Sequence, residues 1–228
     1  MIRAVIFDMF ETLVTHYQCP LYFGSDMAAD AGIPEERFLT LWRPAEHDRS
    51  IGKITLEEIL ERILRENQCY SAELLEKLVR KRMETKQECF RRLHPEILPM
   101  LSGLREKNIP LGLISNCYSE ETKVIRKSEL LPYFDAAFLS FEQGVAKPDR
   151  EIFDRCTAAL SVKAEECLYV GDGASFELET AKSLGMTAVQ AVWYQPSQRN
   201  PDFQQLERPS DVLRLAAPGE DSSQHLED

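Results

Sequence analysis

The sequence predicts an α/β fold: a parallel sheet covered on both faces by helices, with a helical segment inserted after the first strand. Short apolar runs alternate with helix-period segments from residue 95 onward, the pattern of a parallel sheet. The first of these runs, Ala4-Val5-Ile6-Phe7, shows no polar alternation, as expected of a strand buried on both faces. Residues 26 to 92, between the first two runs, carry helical periodicity and no strand-like run.

Taken in order, the first strand ends abruptly at Asp8, with Thr12 four residues on. A carboxylate at the C-terminal end of such a strand stands where open α/β sheets bind ligands. The stretch holding Pro20 and Gly24 reads as a turn or small hairpin leading out of the core. A short helix over Asp26–Ala31 is stopped by Gly32, and Pro34 restarts one through Phe38, Leu39 and Trp42. Thr55 and Glu58 make a capping box. Behind it Leu56, Ile59, Leu60, Ile63 and Leu64 form one apolar stripe. Ser71 caps the next helix. Ile97–Lys107 is helical, Leu111–Ile114 a strand ending in Ser115-Asn116, Glu120–Ser128 helical, and Ala136–Leu139 a strand. Pro148 suits the first position of a helix reaching Leu160. Cys167–Val170 is a strand ending in Gly171-Asp172-Gly173, Phe176–Leu184 a helix stopped by Gly185, and Thr187–Trp193 the last clear strand. Val212–Leu215 is a short amphipathic segment, and the polar, acidic stretch 218–228 reads as a disordered tail.

Composition narrows the function. Apolar residues make up 43% of the 228, enough for a sizeable core. No run approaches the roughly 18 apolar residues that a membrane span needs. The N-terminus runs straight into the first strand with no leader pattern, so the expectation is a soluble, cytoplasmic protein. A net charge of -11 argues against nucleic acid as partner. It also means that a site for an anionic substrate must be made attractive locally. The cysteines at 19, 69, 89, 117, 156 and 167 form no C-x-x-C pair and read as free thiols, Cys117 included.

Four candidate sites each follow a predicted strand: Asp8, then Ser115 and Asn116, then Lys147 in G-V-A-K-P, then Asp172 with Glu177 five residues on. Taken singly, each has an ordinary explanation as a turn residue or a solvated charge. Together, F-D-x-x-x-T-L, I-S-N, K-P and V-G-D-G-x-x-x-E-L resemble the motifs of the haloacid dehalogenase (HAD) superfamily over residues 3–193, and the helical insert resembles that family's type-1 cap. The resemblance implies a doubly wound, five-stranded Rossmann-like sheet in the order fifth-fourth-first-second-third. It implies a core formed by 1–15 and 93–210 and a helical cap over 16–92. It further implies a Mg²⁺-dependent hydrolase of a small phosphorylated metabolite, an ester or anhydride, working through an aspartyl-phosphate. In that pattern Asp8 is the nucleophile, and Lys147 neutralises Asp8 and the phosphoryl group. Ser115 and the Asn116 amide hold the phosphoryl oxygens. Asp8, the Phe10 carbonyl, Asp172 and Glu177 serve the metal, Glu177 directly or through water.

One position departs from the pattern. Most phosphatases of the family carry a second Asp two residues after the nucleophile, as proton carrier, and here it is Phe10. General acid–base help is worth about 10²–10⁴-fold. The substitution therefore implies slow turnover or a preference for good leaving groups. Glu11, in place of the family's usual Gly, is a candidate substitute acid, although a turn-exposed Glu is the simpler account. Two alternatives stand beside the phosphatase reading: a metal-independent 2-haloacid dehalogenase-like hydrolase, which also lacks the second Asp, and a non-catalytic phosphate-binding module. Asp172 and Glu177 weigh against the first, since halide release gives no reason for an acidic metal end. Substrate choice belongs to the cap, where Trp42, Arg43, Arg49 and Lys53 are candidate contacts, with His16 and Tyr17 bordering the entrance.

Overall fold

A computed structural model of the chain describes residues 1–216. The acidic stretch 218–228 lies outside them. Strand β1 (Ala4–Phe7) leads into five helices: α1 (Gly24–Ala31), α2 (Glu35–Trp42), α3 (Glu46–Ser50), α4 (Leu56–Glu66) and α5 (Ala72–Phe90). Then follow α6 (Ile97–Glu106), β2 (Leu111–Ser115), α7 (Ser119–Ile125), β3 (Ala136–Leu139), α8 (Ser140–Gln143) and α9 (Arg150–Ala159). The chain continues with β4 (Cys167–Gly171), α10 (Glu177–Ser183), β5 (Thr187–Ala191), β6 (Gln204–Leu206) and α11 (Asp211–Ala216).

The sheet runs β3-β2-β1-β4-β5-β6, all strand pairs parallel. The expected five-strand order holds, and β6 adds a sixth strand beside β5. Its three residues, Gln204-Gln205-Leu206, are too short and too polar to signal a strand by themselves. In β1 the side chains alternate between two cores, Val5 and Phe7 on one face, Ala4 and Ile6 on the other. Both faces are buried, which is why the strand shows no polar alternation.

The inserted helices have their own core, in which Phe38, Leu60, Ile63 and Leu78 are fully buried. Each such side chain contributes about 1.5–3 kcal/mol. The expected caps form: Thr55 Oγ1 accepts from Glu58 N while the Glu58 carboxylate accepts from Thr55 N, Ser71 Oγ accepts from Leu74 N, and Gly32 closes α1 with a φ of 68°. No hairpin forms ahead of α1; residues 16–23 run as a loop. Pro148 does not open α9 as expected. It follows a cis peptide from Lys147, and Asp149 caps the helix by accepting from Glu151 N. A side-chain acceptor at 149 satisfies a free helix N–H, which Pro at that position could not do. Among the described residues no helix is long and apolar enough to cross a membrane.

Candidate active site

The C-terminal ends of β1, β2 and β4 and the loop after β3 bring the predicted residues to one place. Asp8 stands at the end of β1, buried, its N–H donating to Val170 O at 2.9 Å. Thr12 Oγ1 donates to Asp8 Oδ2 at 3.4 Å. Lys147 comes from the loop after α8 and its Nζ pairs with both Asp8 Oδ1 and Glu177 Oε2. What aims this lysine is Asn116. Its side-chain oxygen accepts from Lys147 N at 2.8 Å, and its Nδ2 donates to Lys147 O at 2.9 Å. Ser115 is fully buried at the end of β2, its hydroxyl 3.4 Å from Asn116 O.

Glu177 opens α10 and lies almost wholly inside the protein. Both its oxygens are engaged: Oε2 by Lys147 and by Tyr169 OH at 2.9 Å, Oε1 by Gly173 N at 3.2 Å. A Cβ at residue 171 would come within 2.0 Å of Glu177 Oε1, so this carboxylate fits only beside a glycine. Asp172 accepts from Ala174 N at 3.0 Å, and its carbonyl accepts from Gln190 Nε2 at 2.8 Å.

Carboxylate oxygens of Asp8, Asp172 and Glu177 lie within 4.8 Å of one another, close enough to hold a metal ion together. Three carboxylates thus lie around one ammonium, which pairs with Asp8 and Glu177. Burial and the neighbouring Asp8 push the Asp172 carboxyl up to about 6. The same two causes raise Glu177, against the opposing pull of Lys147. Burial works against the charge on Lys147, but Asp8 and Glu177 outweigh it and hold the lysine protonated, above its ordinary value. A buried cluster of titratable groups shifted in this way is a candidate functional site.

Phe10 points from the same loop, its ring stacked on His16 with 4.6 Å between centroids and edge-on to Phe90 at 6.4 Å. Glu11 is buried rather than turn-exposed. Its backbone takes a φ of 58°, the left-handed region where glycine fits without strain. The carboxylate compensates locally, accepting from Thr15 Oγ1 at 2.5 Å and His16 N at 2.9 Å. Burial alone would raise the Glu11 carboxyl, but the His16 and Thr15 bonds prevail and hold it below its ordinary value. An ionised, fully bonded Glu11 has no proton to give, which removes it as a substitute acid.

Tyr169 and Gln190 complete this site and carried no motif signal. A tyrosine inside the otherwise apolar run of β4, and a glutamine inside β5, are the only sequence signs of them. Of the candidate cap contacts, Lys53 and Tyr17 are exposed, while Trp42, Arg43, Arg49 and His16 line one cavity between the inserted helices and α7. Arg49 is 2% exposed, against the usual solvation of a charged helix residue. All six cysteines are free, and burial pushes the Cys117 thiol up to about 12, which leaves it inert at neutral pH.

Comparison with known proteins places this geometry in context. The family model for haloacid dehalogenase-like hydrolases matches residues 2–185. The chain is similar to glyceraldehyde 3-phosphate phosphatase of Methanopyrus kandleri, 32% identical over 129 residues that cover 53% of this chain and 54% of that protein. The chain thus spans about half the length, or less, of several curated relatives that it matches. Among solved structures it is similar in fold to a HAD phosphatase from Thermococcus onnurineus, with TM-score 0.66 and 20% identity over 94% of this chain and 97% of that one. It is equally similar to a 2-haloacid dehalogenase from Pseudomonas syringae pv. Tomato DC3000, with TM-score 0.66 and 23% identity over 94% and 98%.

Proposed function

The chain belongs to the haloacid dehalogenase-like hydrolase family, and from that premise we propose that it is a Mg²⁺-dependent phosphatase of a small phosphorylated metabolite, with Asp8 as nucleophile. The observation that carries this reading is the cluster of Asp8, Asp172 and Glu177 around Lys147 at the strand ends. The donor set is all oxygen, which suits Mg²⁺ rather than a thiol-seeking metal. Burial and the neighbouring Asp8 raise the Asp172 carboxyl even though Lys147 is near. Asp8, Asp172 and the Phe10 carbonyl would hold the ion. Glu177, with both oxygens already engaged, serves by anchoring Lys147 and adding charge behind it. When bound, Mg²⁺ supplies charge screening between two anions that must meet.

An Asp8 oxygen attacks phosphorus in line, and the bond from phosphorus to the leaving oxygen breaks with its electron pair on that oxygen. Water then attacks the aspartyl-phosphate, releasing inorganic phosphate and restoring the Asp8 carboxylate. Lys147 neutralises Asp8 as the phosphoryl group approaches. Ser115 Oγ and the Asn116 N–H hold the phosphoryl oxygens, and the Asn116 side chain keeps Lys147 on target. Phe10 brings no proton to the leaving oxygen, so esters of acidic alcohols, and acyl phosphates, turn over fastest. Helices α1–α5, in the stretch 16–92, act as a cap that excludes water.

The test is phosphate release from an aryl phosphate with Mg²⁺ and with a chelator, beside halide release from 2-chloropropionate. Mg²⁺-dependent phosphate release that drops by roughly 10⁴–10⁶-fold in Asp8→Asn is expected, on the scale of losing a nucleophile. Metal-independent halide release without phosphate release would instead establish the dehalogenase reading, which the Lys147–Asp8–Glu177 bridge also accommodates. Capture of a beryllofluoride analogue at Asp8 with no turnover on any phosphate would point to a binding module.

A further inference from the structure

We propose that the cavity between the inserted helices and α7 is a carboxylate-binding subsite, and that the substrate is a short phosphate ester whose leaving group carries a carboxylate. This deepens the phosphatase reading and rests on it for the word substrate; the subsite itself stands on four observations.

The first is charge. In a chain of net charge -11, this cavity of about 330 Å³ is lined by Arg43, Arg49, Arg82 and Lys86, with Glu46 and Glu121 as the only lining carboxylates among the described residues. The second is incomplete pairing. Arg82 Nε and Arg49 Nη2 share one oxygen of Glu120, at 3.3 and 3.2 Å, and Lys86 takes Glu121 at 2.6 Å. Arg49 Nε is then a buried donor with no partner, although the residue is 2% exposed. The Arg43 guanidinium also lines the cavity but is solvent-exposed, so its lack of an ion pair among the described residues is ordinary. Buried polar groups are almost always bonded, so an unpartnered N–H in a cation-lined cavity marks the place of an absent acceptor.

The third is orientation. The Arg49 guanidinium is stacked between Trp42 at 3.8 Å and Tyr118 at 4.1 Å. The two rings cover its faces and leave only its edges for bonding. A carboxylate bonds a guanidinium edge-on, in its plane. A phosphate dianion would add a second charge beside Glu46 and Glu121, so the monoanion fits the wall better. Burial also pushes both Arg49 and Lys86 below their ordinary pKa despite their glutamate partners.

The fourth is position. Lys86 Nζ bonds His16 Nε2 at 2.6 Å and lies 5.6 Å from the Phe10 ring, and Phe10 is two residues from Asp8. His16, on which Phe10 stacks, lines the cavity, so the cavity adjoins the loop that follows Asp8.

Calorimetric titration of the full chain with glycolate, and with ethylene glycol as its uncharged counterpart, tests the assignment. Saturable glycolate binding is expected, with none for ethylene glycol, weakened about 10–100-fold in both Arg43→Gln and Arg49→Met. Equal glycolate affinity in the wild-type and variant proteins, or no glycolate binding to the wild type, overturns it. Should Arg49→Met fail to fold, Arg43→Gln decides by the same criterion. Binding needs no turnover, so the Asp8→Asn protein, inactive on the phosphatase reading, must bind glycolate as the wild type does. Loss of catalysis and loss of the subsite are thereby read separately.

Discussion

In the core cluster three carboxylates, Asp8, Asp172 and Glu177, face the single ammonium of Lys147, which pairs with Asp8 and Glu177. At the boundary with the inserted helices cations outnumber carboxylates instead, with Arg49, Arg82 and Lys86 paired to Glu120 and Glu121. Burial is similar in the two places, so it cannot be what separates them. In the core, Asp172 and Glu177 are raised by burial together with Asp8. At the boundary, burial pushes Glu121 the same way, but Lys86 and Arg82 outweigh it and hold the carboxyl well below the ordinary range. The balance of charge therefore differs, which is why a cation is proposed for the first cluster and an anion for the second.

Phe10 stands between the clusters, and changing it tests their separation most strongly. Phe10→Asp restores a proton carrier beside Asp8, and phosphate release from alkyl esters should rise, by up to about 10²–10⁴-fold. The gain should be smaller for aryl phosphates, whose leaving oxygen needs less help. Steady-state rates on one alkyl and one aryl ester measure it. No rise on either ester would show that the missing acid is not what limits this site.

Removing the lysine from each cluster should break the symmetry of the comparison. Taking one partner from a buried pair costs about 3–5 kcal/mol. Lys147→Met leaves Asp8 and Glu177 with no cation, so its cost should lie at the top of that range. Lys86→Met leaves Glu121 with Arg82 at 4.0 Å, and its cost should be lower. Urea unfolding gives both values. Added Mg²⁺ should recover part of the Lys147→Met loss and none of the Lys86→Met loss. Equal rescue of both variants would mean that Mg²⁺ acts away from the core carboxylates.

The core cluster was legible in the sequence because Asp8 and Asp172 directly follow strands, whose ends converge in a parallel sheet, while Lys147 and Glu177 were placed by the resemblance of their short motifs. Asp8, Lys147, Asp172 and Glu177 could be placed together from four short motifs. The boundary cluster was not legible. Arg49, Arg82, Glu120 and Glu121 come from three helices, and a charged residue on a helix looks the same whether it meets water or a partner. The function of Asn116 was read only in part, because a side chain that clamps the Lys147 backbone leaves no pattern in the sequence. Glu11 was misjudged as exposed for a similar reason: nothing local indicates that Thr15 and His16 turn back to bond it. The strands were found by their apolar runs, and β6 was missed for want of one.

Acid should act on the two clusters in opposite ways. The folded Glu121 carboxyl is depressed by Lys86 and Arg82, so its contribution to stability is present above the ordinary carboxylate pKa. It is lost as the pH falls from there through the depressed folded value. Asp172 is raised to about 6, so its carboxylate opposes folding above that pH, and the opposition disappears as it protonates. Stability followed by denaturant titration between neutral pH and pH 3 should therefore fall less steeply in Glu121→Gln than in wild type. An unchanged slope would mean that Glu121 is not held ionised by its cations.

The smallest effect separates the support of the core cluster from its charges. Tyr169 OH donates to Glu177 Oε2 at 2.9 Å and lies 3.3 Å from Lys147 Nζ, deep inside β4. Tyr169→Phe keeps the ring, which packs against Phe153 at 5.4 Å, and removes one neutral donor. The loss should be about 0.5–1.5 kcal/mol in thermal or urea unfolding. Because Glu177 keeps Lys147 and Gly173 N, activity should fall only a few-fold, on the scale of that same energy. A loss as large as that of Lys147→Met would mean that the hydroxyl, rather than the ammonium, fixes Glu177. The charge count that distinguishes the two clusters would then be incomplete.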